Sequence, residues 1–299
     1  MPAPLPEALP DPMVAAMDAV VTGGEEDAVR RGWGPFFWVS LGWVVAMIGL
    51  AVLASALPLP DPNNPGSAAN LGFSVHHLLG TDELGRDELA RIIFGARVSL
   101  IVGFASIAIG LAFGGLIGLV AGYYRGRTDR VLMAVVDVML AFPPLVFTLA
   151  LIAFLGQSLF NVTIAIAVIS IAPIARIVRA STLTFAERDF VVAARTLGAK
   201  DGRVILREIL PNVSIPIGAF SFIAIALAIV GEGALSFLGQ SVRAPTATWG
   251  GMIAQGRNFL QDNPKLSLIP AFFMFVTVLA LNFVGDRIRS RFDVRDVQV

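Results

Sequence analysis

Six long apolar stretches constrain this chain more than any other feature of its sequence. A helix needs roughly 20 apolar residues to cross the hydrocarbon core of a bilayer. The stretches are continuously apolar, whereas the strands of a membrane β-barrel alternate, and only 15% of all residues are charged. We therefore predict an all-α integral membrane protein with six transmembrane helices. The stretches cover residues 36–57, 98–123, 131–155, 159–178, 213–238 and 266–284.

Positive charge is unevenly distributed between the polar segments. An even number of spans places both termini on one side of the membrane. If that side comprises segments 1–34, 124–130, 176–211 and 286–299, it holds 16 of the 22 Lys and Arg residues. Because cytoplasmic loops carry the excess of Lys and Arg, we expect both termini in the cytoplasm.

The spans and the charge pattern together divide the chain into five segments. The first is rich in Pro, Ala and acidic residues and lacks the features of a secretory signal. Leu84, Leu89 and Ile92 to Phe94 fall roughly on one helical face, which favours a short helix at the membrane surface. The expected segments are a disordered cytoplasmic tail (1–34), a first transmembrane helix (35–57), an extracytoplasmic segment with an interfacial helix (58–96), the remaining transmembrane domain with a cytoplasmic hairpin at 184–211 (97–285), and a cytoplasmic C-terminal tail (286–299).

Small residues recur every fourth position in the second apolar stretch. Overlapping GxxxG units on one helix face let another helix approach closely. The row predicts a tight helix contact, either inside the bundle or between subunits. Its members are Ser106, Gly110, Gly114, Gly118 and Gly122.

Two acidic residues lie within apolar stretches. Asp137 is about two turns from Arg130, so it can lean toward the cytoplasmic interface. Glu232 lies about two turns from the outer end of its span. An ionisable group at mid-bilayer costs on the order of 2.5–3.5 kcal/mol, so a functional role and a structural hydrogen bond are equally open for Glu232.

Two further features of the outer segments have alternative interpretations. Trp249 could be an interfacial anchor or part of a loop that docks a partner. His76 and His77 are the only histidines. Adjacent side chains do not share a helix face, so we expect a solvated loop there and no metal site. The absence of cysteine also excludes disulfides and thiolate metal ligands.

Residues 184–211 form the only long polar segment between two spans, and they read as two short helices joined at a glycine. Phe190, Val191, Ala194 and Leu197 follow an amphipathic helical pattern. Gly198 stands where a left-handed C-terminal cap would lie. For the second helix, the pattern predicts Asp201 as N-cap, an apolar face of Val204, Ile205 and Ile209, and a stop or bend at Pro211. Such a hairpin is shaped to be held by a partner, although two surface helices without a partner remain an alternative.

The run Ala193-Ala-Arg-Thr-Leu-Gly198, followed by Ile209-Leu-Pro211, resembles the EAA signature of permease subunits of ABC importers. Val192 stands where that family has glutamate, and Glu208 where it has isoleucine. The glycine turn and the proline are kept, so the hairpin should still form. Runs that resemble the second permease of the dipeptide, oligopeptide and nickel branch are Leu79 to Asp87, Gly95 to Leu100, Asp137 to Pro143, Glu187 to Phe190, Leu235 to Gly239 and Thr248 to Gly250.

This resemblance implies a type I ABC importer permease fold. It also implies that the hairpin couples this chain to a cytosolic ATPase. The implied coupling residues are Phe190, Ala193, Ala194, Arg195, Leu197, Gly198, Asp201, Arg203, Leu210 and Pro211. The implied partners are a second, homologous permease as a heterodimer, cytosolic ABC ATPases that bind ATP and Mg, an extracytoplasmic peptide-binding protein and the lipid bilayer. No cofactor on this chain and no nucleic acid are expected.

The expected function is import of dipeptides or short oligopeptides across the cytoplasmic membrane. The same machinery carrying nickel or another small solute is the alternative. This chain has no G-x-x-x-x-G-K-[ST] loop to hold phosphates, so it would be a non-catalytic subunit. An ATP-independent transporter or channel would more often show paired repeats and midplane charges. A membrane-embedded enzyme would need converging His, Asp or Glu residues.

Overall fold

The computed structural model describes residues 33–66 and 68–293. Residues 1–32 of the expected N-terminal tail and residues 294–299 of the expected C-terminal tail lie outside the described residues. Within the described ranges the chain is helical apart from its connections. The helices are α1 Gly34–Leu53, α2 Glu88–Tyr124, α3 Gly126–Ala141, α4 Pro144–Leu155, α5 Leu159–Phe185, α6 Asp189–Thr196, α7 Asp201–Phe237, α8 Trp249–Gly256 and α9 Lys265–Asp293.

The described helices include five that are long and apolar enough to cross a membrane: α1, α2, α5, α7 and α9. The pair α3 and α4 makes a sixth candidate, broken by a bend of 86°. The six spans expected from the sequence therefore all appear as candidates, the third of them with a sharp break. Pro143 forces Phe142 into an extended conformation, with ψ of 134°, and Pro144 then starts the next helix.

The expected interfacial helix within residues 58–96 is wrong. Leu89 and Ile92 to Phe94 belong to the first turns of α2, which runs unbroken for 37 residues, or roughly 55 Å, while Leu84 lies in the turn before it. Asp87 caps this helix by accepting a hydrogen bond from the backbone N–H of Ala90 at 2.8 Å. Ile92 is buried against Met252 of α8. The apolar face thus covers another part of the protein, where the pattern had suggested a membrane surface.

The helix α7 also differs from expectation, because Pro211 neither stops nor sharply bends it. The segment Val204–Ile209 is a π-helical stretch just before the proline. There the N–H of Leu210 donates to the carbonyl of Ile205, one residue further back than in an α-helix. Such wider turns are known means of fitting a local irregularity into a helix, and α7 continues to Phe237.

Helices α7 and α9 run antiparallel. Gly233 packs near Met274, and Gly285 packs near Ala219. The Arg291 guanidinium, near the end of α9, lies 4.9 Å from the ring of Trp33, at the start of α1. The beginning of α1 and the end of α9 therefore lie at the end of the bundle that also holds the 184–211 hairpin, which we call the hairpin end.

The predicted row of small residues packs along α5 of the same chain, which decides between the bundle interior and a subunit contact. A Cβ added at Gly114 would lie 2.6 Å from the carbonyl oxygen of Ile171, and one at Gly118 would lie 2.6 Å from that of Ala175. No side chain fits between the two helices at such distances. The glycines with close contacts to α5 are Gly110, Gly114, Gly118 and Gly122.

Candidate functional site

The hairpin consists of α6, a tight turn and the first turns of α7. Gly198 has a φ of +83°, as predicted for a left-handed cap. The N–H of Gly198 donates to the carbonyl of Arg195 at 2.9 Å, and the N–H of Ala199 donates to that of Ala194 at 3.0 Å. These two bonds are those of a Schellman motif. The turn therefore has one defined geometry that ends α6 and reverses the chain.

The inner side of the hairpin is anchored to the bundle by apolar packing. Val191, Val204 and Ile209 are fully buried and share a cluster with Leu119 of α2 and Val213 of α7. Val204 and Ile209 belong to the predicted apolar face of the second helix, and its third member, Ile205, is half-buried against the same cluster. Because protein interiors are close-packed, this cluster attaches the hairpin firmly to α2 and α7.

Tyr123, at the end of α2, joins the two arms of the hairpin. Its hydroxyl donates to Oδ1 of Asp201 at 2.8 Å, and the Arg195 guanidinium lies 4.8 Å from the centroid of its ring, within cation–π range. Asp201 was expected to be an N-cap, and this is wrong. Lys200 is the N-cap residue and makes no side-chain cap bond, while the Asp201 carboxylate is engaged by Tyr123.

The outer side of the hairpin exposes apolar side chains at its tip. Leu197 is 88% exposed and Phe190 is 40% exposed, and Val192 and Leu206 are exposed as well. The predicted amphipathic face of α6 is therefore only partly used inside the chain, since Val191 is buried and Leu197 is not. Exposed apolar surface rimmed by polar groups is typical of interaction sites. Other predicted coupling residues that are exposed are Ala193, Arg203, Leu210 and Pro211, while Ala194 is half-buried.

Ion pairs connect α3 and α5 beside the hairpin. Asp129 accepts two hydrogen bonds from Arg179, one of them at 2.6 Å. Asp137, one of the two acids predicted within spans, pairs with Arg176 at 2.6 Å, and both side chains are more than half exposed. The expected lean of Asp137 toward the interface agrees with this partner, which lies a turn before Arg179 on α5.

Glu232, the other acid, is buried in a cluster of hydroxyl groups at the end opposite the hairpin. Its Oε1 accepts hydrogen bonds from Ser236 at 2.7 Å and from Ser241 at 2.8 Å. Its Oε2 accepts one from Ser99 of α2 at 3.3 Å. The carboxylate thereby ties α7 to α2 and to the loop after α7, which is the structural role left open by the sequence.

Trp249 lies next to this cluster and is completely buried. Its indole N–H donates to the carbonyl of Ile92 at 3.1 Å, and its backbone N–H donates to the Ser99 hydroxyl at 3.2 Å. Both expected roles, interfacial anchor and exposed docking residue, are wrong. Trp249 fixes the start of α8 against α2.

A second buried polar cluster holds the segment before α2. The Arg86 and Arg91 guanidinium groups converge on Asp82, at 2.6 and 3.4 Å respectively. Arg91 also donates to the carbonyl of Pro62 at 3.0 Å. His77 pairs with Asp87 at 2.8 Å, so this histidine is a local partner of the α2 cap. The motif from Leu79 to Asp87 is therefore a folded element that organises the outer segment.

The family model described as a binding-protein-dependent transport system inner membrane component matches residues 114–295, more than half of the chain. The chain belongs to this family. The matched range begins within the glycine row and includes α3 to α9, with the hairpin at its centre. The chain is thus a permease subunit of an ABC importer, a non-catalytic membrane component.

Relatives of this permease align over most of their length. The dipeptide transport system permease protein DppC of Alkalihalophilus pseudofirmus is 38% identical over 257 residues, covering 85% of this chain and 84% of that protein. The glutathione transport system permease protein GsiD of Pectobacterium atrosepticum is 35% identical over 289 residues, covering 93% and 96%.

Solved structures support the fold of the permease. A chain of the MetNI methionine ABC transporter in inward-facing conformations matches with a TM-score of 0.57 at 19% identity, covering 70% of this chain and 97% of that one. A chain of an amino acid ABC transporter with histidines matches with a TM-score of 0.53 at 20% identity, covering 68% and 94%. The expected type I ABC importer permease fold is confirmed.

Sequence reasoning missed the connections that cross between distant segments. Tyr123 and Asp201 are 78 positions apart, and no local pattern joins them. Arg179 and Asp129 are opposite charges in segments that the charge analysis already placed on one side. Their location on the same side of the membrane was a signal that such an ion pair could form, but it did not indicate which residues would pair.

Proposed function

We propose that the hairpin of this permease is the element through which cytosolic ATPases drive solute import. The observation that carries the proposal is a rigid hairpin with an exposed apolar tip. Leu197 projects from a turn of defined geometry, while Val191, Val204 and Ile209 attach the other side to the transmembrane bundle. A groove on an ATPase would cover the tip, and closure of the ATPases upon binding ATP would displace the hairpin.

The packing of the hairpin supports a rigid-body response. Tyr123 bonds to Asp201 and stacks with Arg195, so both arms follow the end of α2. The glycine row in turn packs α2 closely on α5. Displacement of the hairpin would therefore move α2, α5 and α7 together, which is how a bundle switches between inward-facing and outward-facing states.

The remaining parts of the assembly follow from this role. We propose that both termini and the hairpin lie in the cytoplasm, as the distribution of Lys and Arg favours. A second, similar permease would complete the pathway, ATP and Mg would bind to the ATPases, and an extracytoplasmic binding protein would deliver solute to the opposite end.

We propose dipeptides or short oligopeptides, including glutathione-like peptides, as the solutes, because the relatives are named for dipeptide and glutathione transport. A cavity of about 360 Å³ between α4, α5 and α7 includes Thr148 and Ser170 in its lining. Both hydroxyls bond to carbonyls of their own helices, at 2.7 and 2.8 Å. Among the described residues around it, this cavity has no charged anchor for peptide termini, so selection would rest with the binding protein.

A matched pair of glycine substitutions tests the coupling role. Gly198→Ala places a Cβ on a residue with φ of +83°, where a non-glycine residue costs roughly 1–3 kcal/mol. Gly202→Ala adds the same atom four residues away, in helix and with no atom within 4 Å. Co-purification of the ATPases and ATP-dependent peptide uptake into proteoliposomes should fall for Gly198→Ala and persist for Gly202→Ala.

Gly198→Asn is a second control, because asparagine tolerates the left-handed conformation better than other residues do. It should retain more uptake than Gly198→Ala. Unchanged ATPase binding and uptake in both substitutions at position 198 would argue against the hairpin as the coupling element.

A further inference from the structure

An apolar groove lies between α1 and α2 toward the end opposite the hairpin, with a volume of about 420 Å³. Its walls include Ile48 and Val52 of α1 and Leu100, Ile101 and Phe104 of α2. Val52 is 69% exposed, and Ile48 and Ile101 are exposed as well. The groove therefore opens away from the protein core, toward the surroundings of the bundle.

Arg97 stands at one end of this groove and is held there by the end of α1. Its Nε donates to the carbonyl of Ala51 at 2.7 Å, and its Nη2 donates to that of Val52 at 3.1 Å. A guanidinium has five N–H donors, so these two bonds leave donors for a ligand. Arg86 and Arg91 both form ion pairs with Asp82. Within the described residues, no ion pair balances the charge of Arg97.

The position of Arg97 along α2 defines what can meet its charge. It directly precedes the apolar stretch 98–123, so we expect it at the boundary between hydrocarbon and headgroups. Phe104 lies seven positions after Arg97, which corresponds to roughly 10 Å along the helix. A fixed cation followed by an apolar channel of that length matches a phosphate followed by an acyl chain.

We propose that this groove binds one anionic phospholipid, with its phosphate on the Arg97 guanidinium and an acyl chain along Leu100, Ile101 and Phe104. Guanidinium groups bind phosphate through paired, charge-assisted hydrogen bonds. The bound lipid would brace α1 against α2. This site is separate from the hairpin and does not depend on its coupling role.

The lining of the groove favours a lipid over a helix of the second permease. Contacts between membrane helices are enriched in small residues that let backbones approach, as the glycine row does toward α5. The groove is instead walled mainly by branched and aromatic side chains, with Ala51 as its one small residue. Flexible acyl chains fit such a surface without close backbone approach.

Photo-labelling with phosphatidylglycerol that carries a diazirine in its acyl chain tests this site. The full-length permease is reconstituted in nanodiscs, and labelled peptides are mapped by mass spectrometry. Labelling should concentrate on the segments around positions 48–52 and 100–104 and exceed that by the phosphatidylcholine analogue. Arg97→Gln should lower it about tenfold, as loss of a charge-assisted hydrogen bond implies. Arg243→Gln, which removes an exposed charge at the same end, should leave labelling unchanged.

Ile101→Trp provides an independent variant, because it fills the groove and leaves the bonds between Arg97 and α1 in place. It should reduce labelling even if Arg97→Gln fails to assemble. Three results would overturn the proposal: equal labelling by phosphatidylcholine, full labelling of Ile101→Trp, or a cross-link to the second permease from benzoylphenylalanine placed at position 101 in the assembled complex.

Discussion

The close packing of α2 on α5 makes a quantitative prediction about Gly118. A Cβ at this position would lie 2.6 Å from the carbonyl oxygen of Ala175, 2.7 Å from the Cβ of Val178 and 2.8 Å from the N of Arg179. The first distance is about 0.8 Å short of 3.4 Å, where ordinary contact begins. Two of the three atoms belong to the backbone, so the helices must separate. Overpacking of this kind typically costs about 1–3 kcal/mol.

Gly115 supplies the matched control for this substitution. It lies on the same helix, three residues away, and a Cβ there would meet no atom within 4 Å. Gly115→Ala should therefore be neutral or stabilising by up to about 1 kcal/mol, because alanine favours helix over glycine. The two variants add the same methyl group, so a difference between them reports the packing alone.

Thermal unfolding of the detergent-purified permease, followed by size-exclusion fluorescence, measures the difference. We expect Gly118→Ala to lower the midpoint by on the order of 5 °C relative to Gly115→Ala. Gly114→Leu should lower it further and reduce the amount of assembled complex. Equal midpoints for Gly118→Ala and Gly115→Ala would refute the close approach of α2 and α5.

The buried hydroxyl cluster and the ion pairs beside the hairpin make two further predictions, checked by the same unfolding assay. Glu232→Leu leaves the hydroxyls of Ser99, Ser236 and Ser241 without their acceptor, which costs about 1–3 kcal/mol for each hydroxyl that stays unsatisfied. Glu232→Gln keeps one acceptor oxygen and should unfold at a clearly higher temperature. Similar midpoints for the two variants would contradict a structural role of Glu232. Arg179→Gln should destabilise the permease more than Arg176→Gln. The ion pair between Arg179 and Asp129 is bidentate and partly buried, while the pair between Arg176 and Asp137 is mostly exposed and worth about 0–1 kcal/mol. A larger loss of stability in Arg176→Gln would contradict this geometry.

Features encoded by adjacent residues were predictable from the sequence. The lengths of the apolar stretches locate the spans, because the bilayer sets a minimum length. The turn of the hairpin was equally accessible, since Gly198 follows an amphipathic run and relieves the steric penalty of a positive φ. The family signature overlaps this turn, so local physics and resemblance indicated the same element.

Features that depend on distant partners were not predictable in the same way. Ile92 and its neighbours look like a surface-binding face until α8 covers them, and Trp249 looks exposed until its indole bonds to Ile92, 157 residues away. The glycine row predicted a close helix contact, but its periodicity does not indicate which helix packs against it. Asp201 has the side chain of an N-cap, yet Tyr123 engages its carboxylate. In each case a tertiary contact outweighs a local preference.

Photo-cross-linking from position 197 tests the coupling role most directly. A benzoylphenylalanine replaces Leu197 at the tip of the hairpin, or Val75 in the outer segment as control, in the complex with its ATPases. The two side chains are similarly exposed, at 88% and 91%. We predict an adduct between the permease and the ATPase from position 197 that changes in yield when ATP is bound, and none from position 75. Absence of an ATPase adduct at 197 in a complex that still imports solute would contradict the account.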